Sequence, residues 1–221
     1  MTSDAVLDRL ADDAIGIAGP PSRAILGIAG SPGAGKSTLV EELLRRIAGR
    51  QGPGWVAHVP MDGFHLADAQ LRRLRRLNRK GAPDTFDALG YAHLLERVRT
   101  EPDSQIYAPG FDRHLEQPLS AALVVPPSAE LVITEGNYLL LDHPLWSRAR
   151  ATMNQVWLVT ADQAVRTSRL VARHVEFGKS PPDARDWVEA VDERNAQLVA
   201  SSAAVADRVI GNGAHGWSIS A

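Results

Sequence analysis

The chain has 221 residues, of which 44% are hydrophobic and 23% are charged, and its 24 basic and 26 acidic side chains give a formal net charge of −2. This profile is typical of a globular protein and excludes a highly acidic disordered tail and a globally basic coat for nucleic acid. The sequence contains no cysteine, which excludes disulfide bonds, thiolate metal sites and a cysteine nucleophile.

The N-terminal segment predicts an amphipathic helix rather than an export signal. Apolar residues recur at helical spacing between Val6 and Ala14, and four aspartates replace the basic start that an export signal needs. A Gly-Pro-Pro-Ser sequence at 19–22 predicts the end of this helix, so residues 1–21 form an N-terminal helix and linker. Because no early apolar stretch is long enough to span a bilayer, we expect a cytoplasmic protein without a membrane partner.

Short apolar runs alternate with helical patterns along the rest of the chain. The predicted strands are residues 24–29, 56–60, 131–134, 156–159 and 208–210. Helical patterns cover 37–47 and lie near 65–78, 89–99, 162–177 and 181–200. This alternation predicts an α/β fold with a largely parallel sheet and helices on both faces, because parallel strands need long crossovers. The Pro-rich stretch 103–126 is predicted to be a strand-and-loop insertion within a single domain, 1–221.

The most specific motif follows the first predicted strand. Residues 30–38, GSPGAGKST, match the pattern G-x-x-x-x-G-K-[ST]. Glycines let backbone N–H groups surround phosphate oxygens, and the following helix N-terminus adds positive potential. We predict that Lys36 reaches the β- and γ-phosphates of a nucleotide and that the Ser37 hydroxyl ligates Mg²⁺. The predicted nucleotide contacts are Gly30, Ser31, Gly33, Ala34, Gly35, Lys36, Ser37 and Thr38.

Two carboxylates follow predicted strands. Asp62 comes just after the second strand and Glu135 ends the third, and ligands of open α/β sheets bind outside the carboxyl ends of the strands. Asp62 is predicted to take the proton of an acceptor hydroxyl; the alternative is that it only caps a helix or starts a turn. Glu135 is predicted to bind the metal directly or through water, with a solvated loop carboxylate as the alternative.

A predicted helix carries three arginines on one side. Arg166, Arg169 and Arg173 are spaced at i, i+3 and i+7. This side predicts a lid, residues 162–185, whose arginines neutralise charge on a transferring phosphoryl group. Arg169 and Arg173 are our candidates, and a solvated helix face is the alternative.

Further segments are candidates for contact with an acceptor. KGAPDTFD at 80–87 places acids around an aromatic residue, and YAPGFDR at 107–113 combines aromatics, an acid and a base. Plain loops are the alternative for both. The predicted substrate contacts are His65, Asp84, Tyr107, Phe111, Arg113 and Asn137. The six basic residues within 71–80 are interpreted as the solvated face of a helix, and no nucleic-acid partner is expected.

Together these motifs resemble the P-loop kinases of the uridine kinase, pantothenate kinase and phosphoribulokinase superfamily. The sequence is most similar to its bacterial nucleoside/nucleotide kinase-like branch, which includes fructose-transport-associated kinases. The matching segments run in order from about residue 22 to 212 and are GSPGAGKST at 30–38, DGFH at 62–65, KGAPDTFD at 80–87, PGFDR at 109–113, EGNYLL at 135–140 and SRLVARH at 168–174.

The resemblance implies a P-loop NTPase fold with a five-stranded, mainly parallel sheet, a helical lid and often a homodimer. It also implies ATP and Mg²⁺ as cofactors and a hydroxyl of a small metabolite as the acceptor. Asp62 matches the family's catalytic aspartate, Glu135 its strand-end acid, and Arg173 falls within a turn of its phosphate-clamping lid arginine. Asp84 and Arg113 match positions near the acceptor.

Two departures from the family pattern narrow the acceptor. Pantothenate kinases carry a Tyr-x-His segment where this chain has FDR at 111–113, which argues against pantothenate. Uridine kinases show an aspartate, a serine and an aromatic residue where this chain has DGF at 62–64, which weakens uridine but leaves nucleosides and sugars. The predicted function is therefore an ATP-dependent kinase for a nucleoside-like or sugar-like acceptor. The alternatives are a nucleotide-hydrolysing switch without an acceptor and a sensor that only binds nucleotide.

Overall fold

A computed structural model describes residues 2–19 and 22–219. Its helices are α1 Ser3–Ile15, α2 Lys36–Gln51, α3 Asp68–Arg73, α4 Ala88–Thr100, α5 Pro144–Arg150, α6 Gln163–Glu176, α7 Pro181–Trp187 and α8 Glu193–Ala200. Its strands are β1 Ala24–Gly30, β2 Val56–Pro60, β3 Ile106–Asp112, β4 Gln117–Val125, β5 Leu131–Gly136, β6 Gln155–Thr160, β7 Arg208–Gly213 and β8 Gly216–Ile219. Helix α1 ends at Ile15, before the predicted stop, of which Pro20 and Pro21 lie outside the described residues.

The central sheet has the strand order β2-β5-β1-β6-β7-β8. The first five strands in this order run parallel, which confirms the predicted α/β fold, and β8 pairs antiparallel with β7. The central sheet therefore has one strand more than the five that we predicted. Strand β8 has only four residues, too few for a periodic pattern that distinguishes a strand from a loop.

The sheet separates two apolar cores. Successive side chains of β1 point to opposite faces, so Leu26 packs with α1 and α2 whereas Ile25 packs with the core on the other side. That second core includes Tyr91 of α4 and Trp146 of α5. None of the helices in the described residues has the length and apolar character needed to cross a bilayer.

Two helical predictions need correction. The pattern near 65–78 forms only the short α3, because Arg75 adopts a left-handed conformation with φ 58° and ends the helix. The pattern at 181–200 is not one regular helix, since a π-helical segment, Val188–Asp192, separates α7 from α8. Such segments occur frequently at functional sites.

The stretch 103–126 forms a hairpin of β3 and β4 beside the end of β2. Its backbone approaches the short 3₁₀ helix Met61–Phe64 so closely that a Cβ atom at Gly63 would overlap the carbonyl of Pro109. Only glycine allows this contact. The hairpin is thereby held against the segment that carries Asp62.

Candidate active site

The loop between β1 and α2 has the conformation that its glycines predict. Gly33 and Gly35 have φ values of 75° and 100°, a region that other residues rarely enter. Helix α2 begins at Lys36, whose Nζ atom donates hydrogen bonds to Ser31 O at 3.2 Å and to Asn137 Oδ1 at 2.7 Å. Asn137, which we predicted to contact the substrate, therefore also holds the lysine.

The ammonium group of Lys36 is buried beside charges of both signs. Burial lowers its pKa to about 8 from an ordinary value of 10.5, although Glu135 and Asp62 oppose this shift. A triphosphate in the loop would add negative charge and favour the protonated form. The position suits an ammonium group that binds phosphate oxygens.

Ser37 and Glu135 meet where the metal is predicted. The hydroxyl of Ser37 donates to Glu135 Oε2 at 3.0 Å. Burial raises the pKa of Glu135, while the positive charge of Lys36 opposes this change. Groups of three or more His, Cys, Asp or Glu that could hold a metal are absent from the described residues. A hydroxyl and one carboxylate fit Mg²⁺, which commonly keeps several waters and uses substrate phosphates as further ligands.

Asp62 forms an ion pair with the hairpin. Its Oδ2 accepts a hydrogen bond from Arg113 at 2.6 Å, and its backbone carbonyl lies 2.9 Å from Nδ1 of His65. Burial would raise the pKa of Asp62, but Arg113, His65 and Lys36 outweigh it and lower the pKa below its ordinary value. The carboxylate is therefore ionised at neutral pH.

A single cavity of about 690 Å³ connects these groups. The predicted site residues that line it are Gly33, Lys36, Ser37, Asp62, His65, Phe111, Arg113, Glu135, Asn137 and Arg173. Of the other predicted nucleotide contacts, Gly30 ends β1, Ser31, Ala34 and Gly35 lie in the loop, and Thr38 lies in the first turn of α2. The structure thus brings the phosphate loop, Asp62, Glu135 and Arg173 of α6 around one space.

The three arginines of α6 have different environments. Arg173 lines the cavity and forms no ion pair within the described part of the chain. Arg169 lies beside the loop, where it donates to Gly33 O at 3.3 Å, and it does not line the cavity. Arg166 is buried and pairs with Glu193 at 3.2 Å.

Two predicted substrate contacts do not reach the cavity. Tyr107 is 58% exposed on the hairpin, and its hydroxyl accepts a hydrogen bond from Gln105. Because side chains alternate along a strand, Tyr107 and its neighbour Ala108 point in opposite directions, and Ala108 is the one that is buried. Asp84 pairs with Arg79 at 2.6 Å and with Arg76 at 3.4 Å, which holds its own loop together. We correct both assignments.

Several cavity residues were missed by sequence reasoning. Phe177, which follows α6, and Trp187, which ends α7, supply aromatic surface, and Lys80, which lies in the candidate segment 80–87 but was not named as a contact, pairs with Asp68 at 2.7 Å. His174 of α6 lies 2.8 Å from Asp192 of the π-helical segment. His174 directly follows Arg173, so the helical pattern of α6 could have identified it as a candidate. The others depend on how loops distant in sequence come together.

Comparison with known proteins identifies the family to which the chain belongs. No family model matches the sequence. A protein of Schizosaccharomyces pombe, provisionally named a uridine kinase, is 34% identical over 175 residues, which are 77% of this chain and 74% of that protein. A solved structure from Silicibacter sp. TM1040, provisionally described as a fructose transport system kinase, is 32% identical, covers 92% of this chain and 98% of its own, and has a TM-score of 0.83.

A more distant structure agrees in fold. YFH7 of Saccharomyces cerevisiae, described as a P-loop containing kinase with a circular permutation, has a TM-score of 0.77 at 18% identity, with 94% of this chain and 98% of that chain covered. This likeness shows the fold alone. The two nearer relatives confirm the family that the motifs indicated. The chain is an ATP-dependent kinase and belongs to the P-loop kinases of the uridine kinase and pantothenate kinase family.

Proposed function

We propose that this kinase transfers the γ-phosphoryl group of MgATP to a hydroxyl of an uncharged nucleoside-like or sugar-like acceptor. The observation that carries the proposal is the shared cavity, in which the ammonium of Lys36 and the carboxylate of Asp62 face one space. The switch and sensor alternatives need no carboxylate opposite the phosphate loop. The acceptor oxygen attacks the γ-phosphorus, the bond to the ADP oxygen breaks, and the hydroxyl proton passes to Asp62.

Several residues around the cavity have a defined part in this reaction. Lys36 and the loop amides bind the phosphates, and Ser37 with Glu135 would hold Mg²⁺, which neutralises charge between the β- and γ-phosphates. Arg113 occupies Oδ2 of Asp62, so Oδ1 is left to orient the acceptor hydroxyl. Arg173 lines the same cavity and compensates charge on the transferring group. Positioning and electrostatics carry most of the rate in such reactions.

The charges on the acceptor side favour an uncharged acceptor. Arg113 is paired with Asp62, and Lys80 is paired with Asp68. Since the protein already compensates these cations, a bound carboxylate or phosphate would displace Asp62 or Asp68, each half-buried, from its partner, which is unfavourable. Hydroxyl groups both donate and accept hydrogen bonds, so a neutral polyol fits between such pairs. The names of the two nearer relatives, which mention uridine and fructose, point to acceptors of this kind.

ADP release with matched neutral and anionic compounds tests this function. We expect ADP release from MgATP to depend on an added acceptor, with a nucleoside or fructose as active compounds and the matching nucleoside monophosphate or fructose 6-phosphate as much weaker ones. Release that is independent of every acceptor would support the hydrolysing switch. A preference for the anionic member of a pair would contradict the neutral acceptor but not phosphoryl transfer.

Asp62→Asn is the matched variant for this assay. It keeps the size of the side chain and removes the proton acceptor, so turnover should fall by about 10²–10⁴-fold while the Kd for ATP stays unchanged. A loss of ATP binding instead of turnover would contradict the role of Asp62 toward the acceptor.

A further inference from the structure

A histidine outside all the sequence motifs lies next to the predicted metal site. His58 is in the middle of β2, and its Nε2 is the one buried side-chain nitrogen or oxygen without a hydrogen-bond partner in the described residues. This atom lies 3.8 Å from Oε1 of Glu135. The distance exceeds that of a hydrogen bond, but a small side-chain movement would close it.

The sheet places the two side chains on the same face. In the parallel pairing of β2 with β5, His58 is opposite Ile133 and Pro60 is opposite Glu135. Residues two apart on a strand share a face, and Ile133 belongs to the core on the α2 side. His58 and Glu135 therefore both face α2, which begins with the phosphate-loop lysine and Ser37.

The hydrogen bonds of Glu135 leave one of its oxygens available. Oε2 accepts from Ser37, and no other donor to the carboxylate is found within the described residues. A neutral imidazole ring carries one N–H, either on Nδ1 or on Nε2. A hydrogen on Nε2 points a donor toward the carboxylate, whereas a hydrogen on Nδ1 would point a lone pair at it.

We propose that His58 is a positioning residue for the metal site: when nucleotide and metal bind, its Nε2–H donates to Oε1 of Glu135 while Ser37 keeps Oε2. This inference rests on the proposed function, because it assigns Glu135 to the Mg²⁺ shell. With a donor on each oxygen, the rotation of the carboxylate is fixed. Such supporting hydrogen bonds orient ligands and contribute to metal affinity. The alternative is that His58 only fills space on an edge strand.

Binding of Mn²⁺, a paramagnetic substitute for Mg²⁺, to the ADP complex tests the proposal without an acceptor. Free Mn²⁺ is counted by electron paramagnetic resonance in the presence of saturating ADP. In His58→Leu, which has no donor, Mn²⁺ affinity should fall by about tenfold, while the Kd for ADP measured with EDTA should not change. His58→Gln supplies an amide N–H at a similar reach and should retain most of the Mn²⁺ affinity.

Val56→Ala is the matched control, because Val56 is on the same face of the same strand, two residues away. It should leave Mn²⁺ affinity unchanged even if it lowers the melting temperature. Unchanged affinity in His58→Leu would overturn the proposal, as would an equal loss in His58→Gln and His58→Leu. If the unaltered ADP complex binds no Mn²⁺, the metal assignment of Glu135 is wrong and the proposed function fails with it.

Discussion

Lys36 is buried among two carboxylates and two arginines, and this environment makes its charge sensitive to pH. Desolvation has the largest effect on its pKa, and Glu135 and Asp62 only partly restore it. We therefore expect the free protein to lose the charge of Lys36 in mildly alkaline solution.

We therefore predict that ATP affinity falls as the pH rises through the pKa of Lys36, about 8. Below this value Lys36 is charged and binds phosphate oxygens, whereas above it the neutral amine does so poorly. The measurement is the Kd for ATP by calorimetry across this pH range. Lys36→Met should bind more weakly at low pH and show a flatter profile. An unaltered chain with no break near this pKa would contradict the prediction.

At the residue scale, sequence motifs located the groups whose chemistry is tied to a fixed spacing. The segment at 30–38 identified Lys36 and Ser37 because phosphate binding needs glycines and a helix start at set positions. His58 belongs to no motif, and its place beside Glu135 depends on the pairing of β2 with β5. The local sequence around either residue does not reveal that His58 and Glu135 are close, because their proximity arises from the pairing of two distant strands.

At the scale of elements, Arg23 connects several segments near the start of β1. It directly precedes β1 and is 2% exposed. Its guanidinium donates to the carbonyls of Ala129 at 2.7 Å, Pro102 at 2.8 Å, Pro126 at 3.0 Å and Val98 at 3.1 Å. One side chain thus ties the end of α4, the hairpin and the approach to β5 to the first strand.

Replacing Arg23 by Met should lower the free energy of unfolding by about 3–5 kcal/mol, because buried carbonyls lose their donors. Urea denaturation measures the change. Arg45→Met is the control, since Arg45 is exposed and its ion pair among the described residues is with Glu42 of its own helix, and it should cost less than about 1 kcal/mol. Equal losses in the two variants would show that Arg23 does not hold these segments together.

The residue patterns within single helices and strands also show what cannot be predicted from sequence. The spacing on α6 grouped three arginines on one side, but only Arg173 lines the cavity. Periodicity gives the direction of a side chain around its helix and not the partner that it meets. The same limit explains Tyr107, whose segment was identified correctly as lying near the site while its side chain points away from it.

For the whole molecule, part of the apolar packing lies apart from the cavity. Helix α1 buries Leu10 completely against α2 and the sheet, in the core on the α2 face. The alternation of strands and helices was sufficient to predict this layered arrangement, because parallel strands require crossovers. The position of the hairpin beside β2 was not predictable, since a hairpin satisfies its own backbone hydrogen bonds wherever it packs.

We predict that Leu10→Ala lowers the free energy of unfolding by about 2–5 kcal/mol through the cavity it leaves. The Kd for ATP should remain unchanged at temperatures where the variant is folded, because Leu10 does not line the site. Urea denaturation and ATP calorimetry on the same sample check both statements. Weaker ATP binding in a variant of normal stability would contradict the separation.

The contact between Gly63 and Pro109 has a consequence for how such an enzyme diverges. Because the backbones of the two segments are in contact there, the hairpin cannot shift without displacing Asp62. Changes in the course of the hairpin's main chain would therefore be selected against. A side chain such as Phe111, which lines the cavity from the hairpin, is under no such restriction, whereas Arg113 is held by its ion pair with Asp62. New acceptor preferences would therefore arise by exchanging Phe111 on an unchanged frame, and directed evolution of this chain should recover substitutions at 111 but retain glycine at 63.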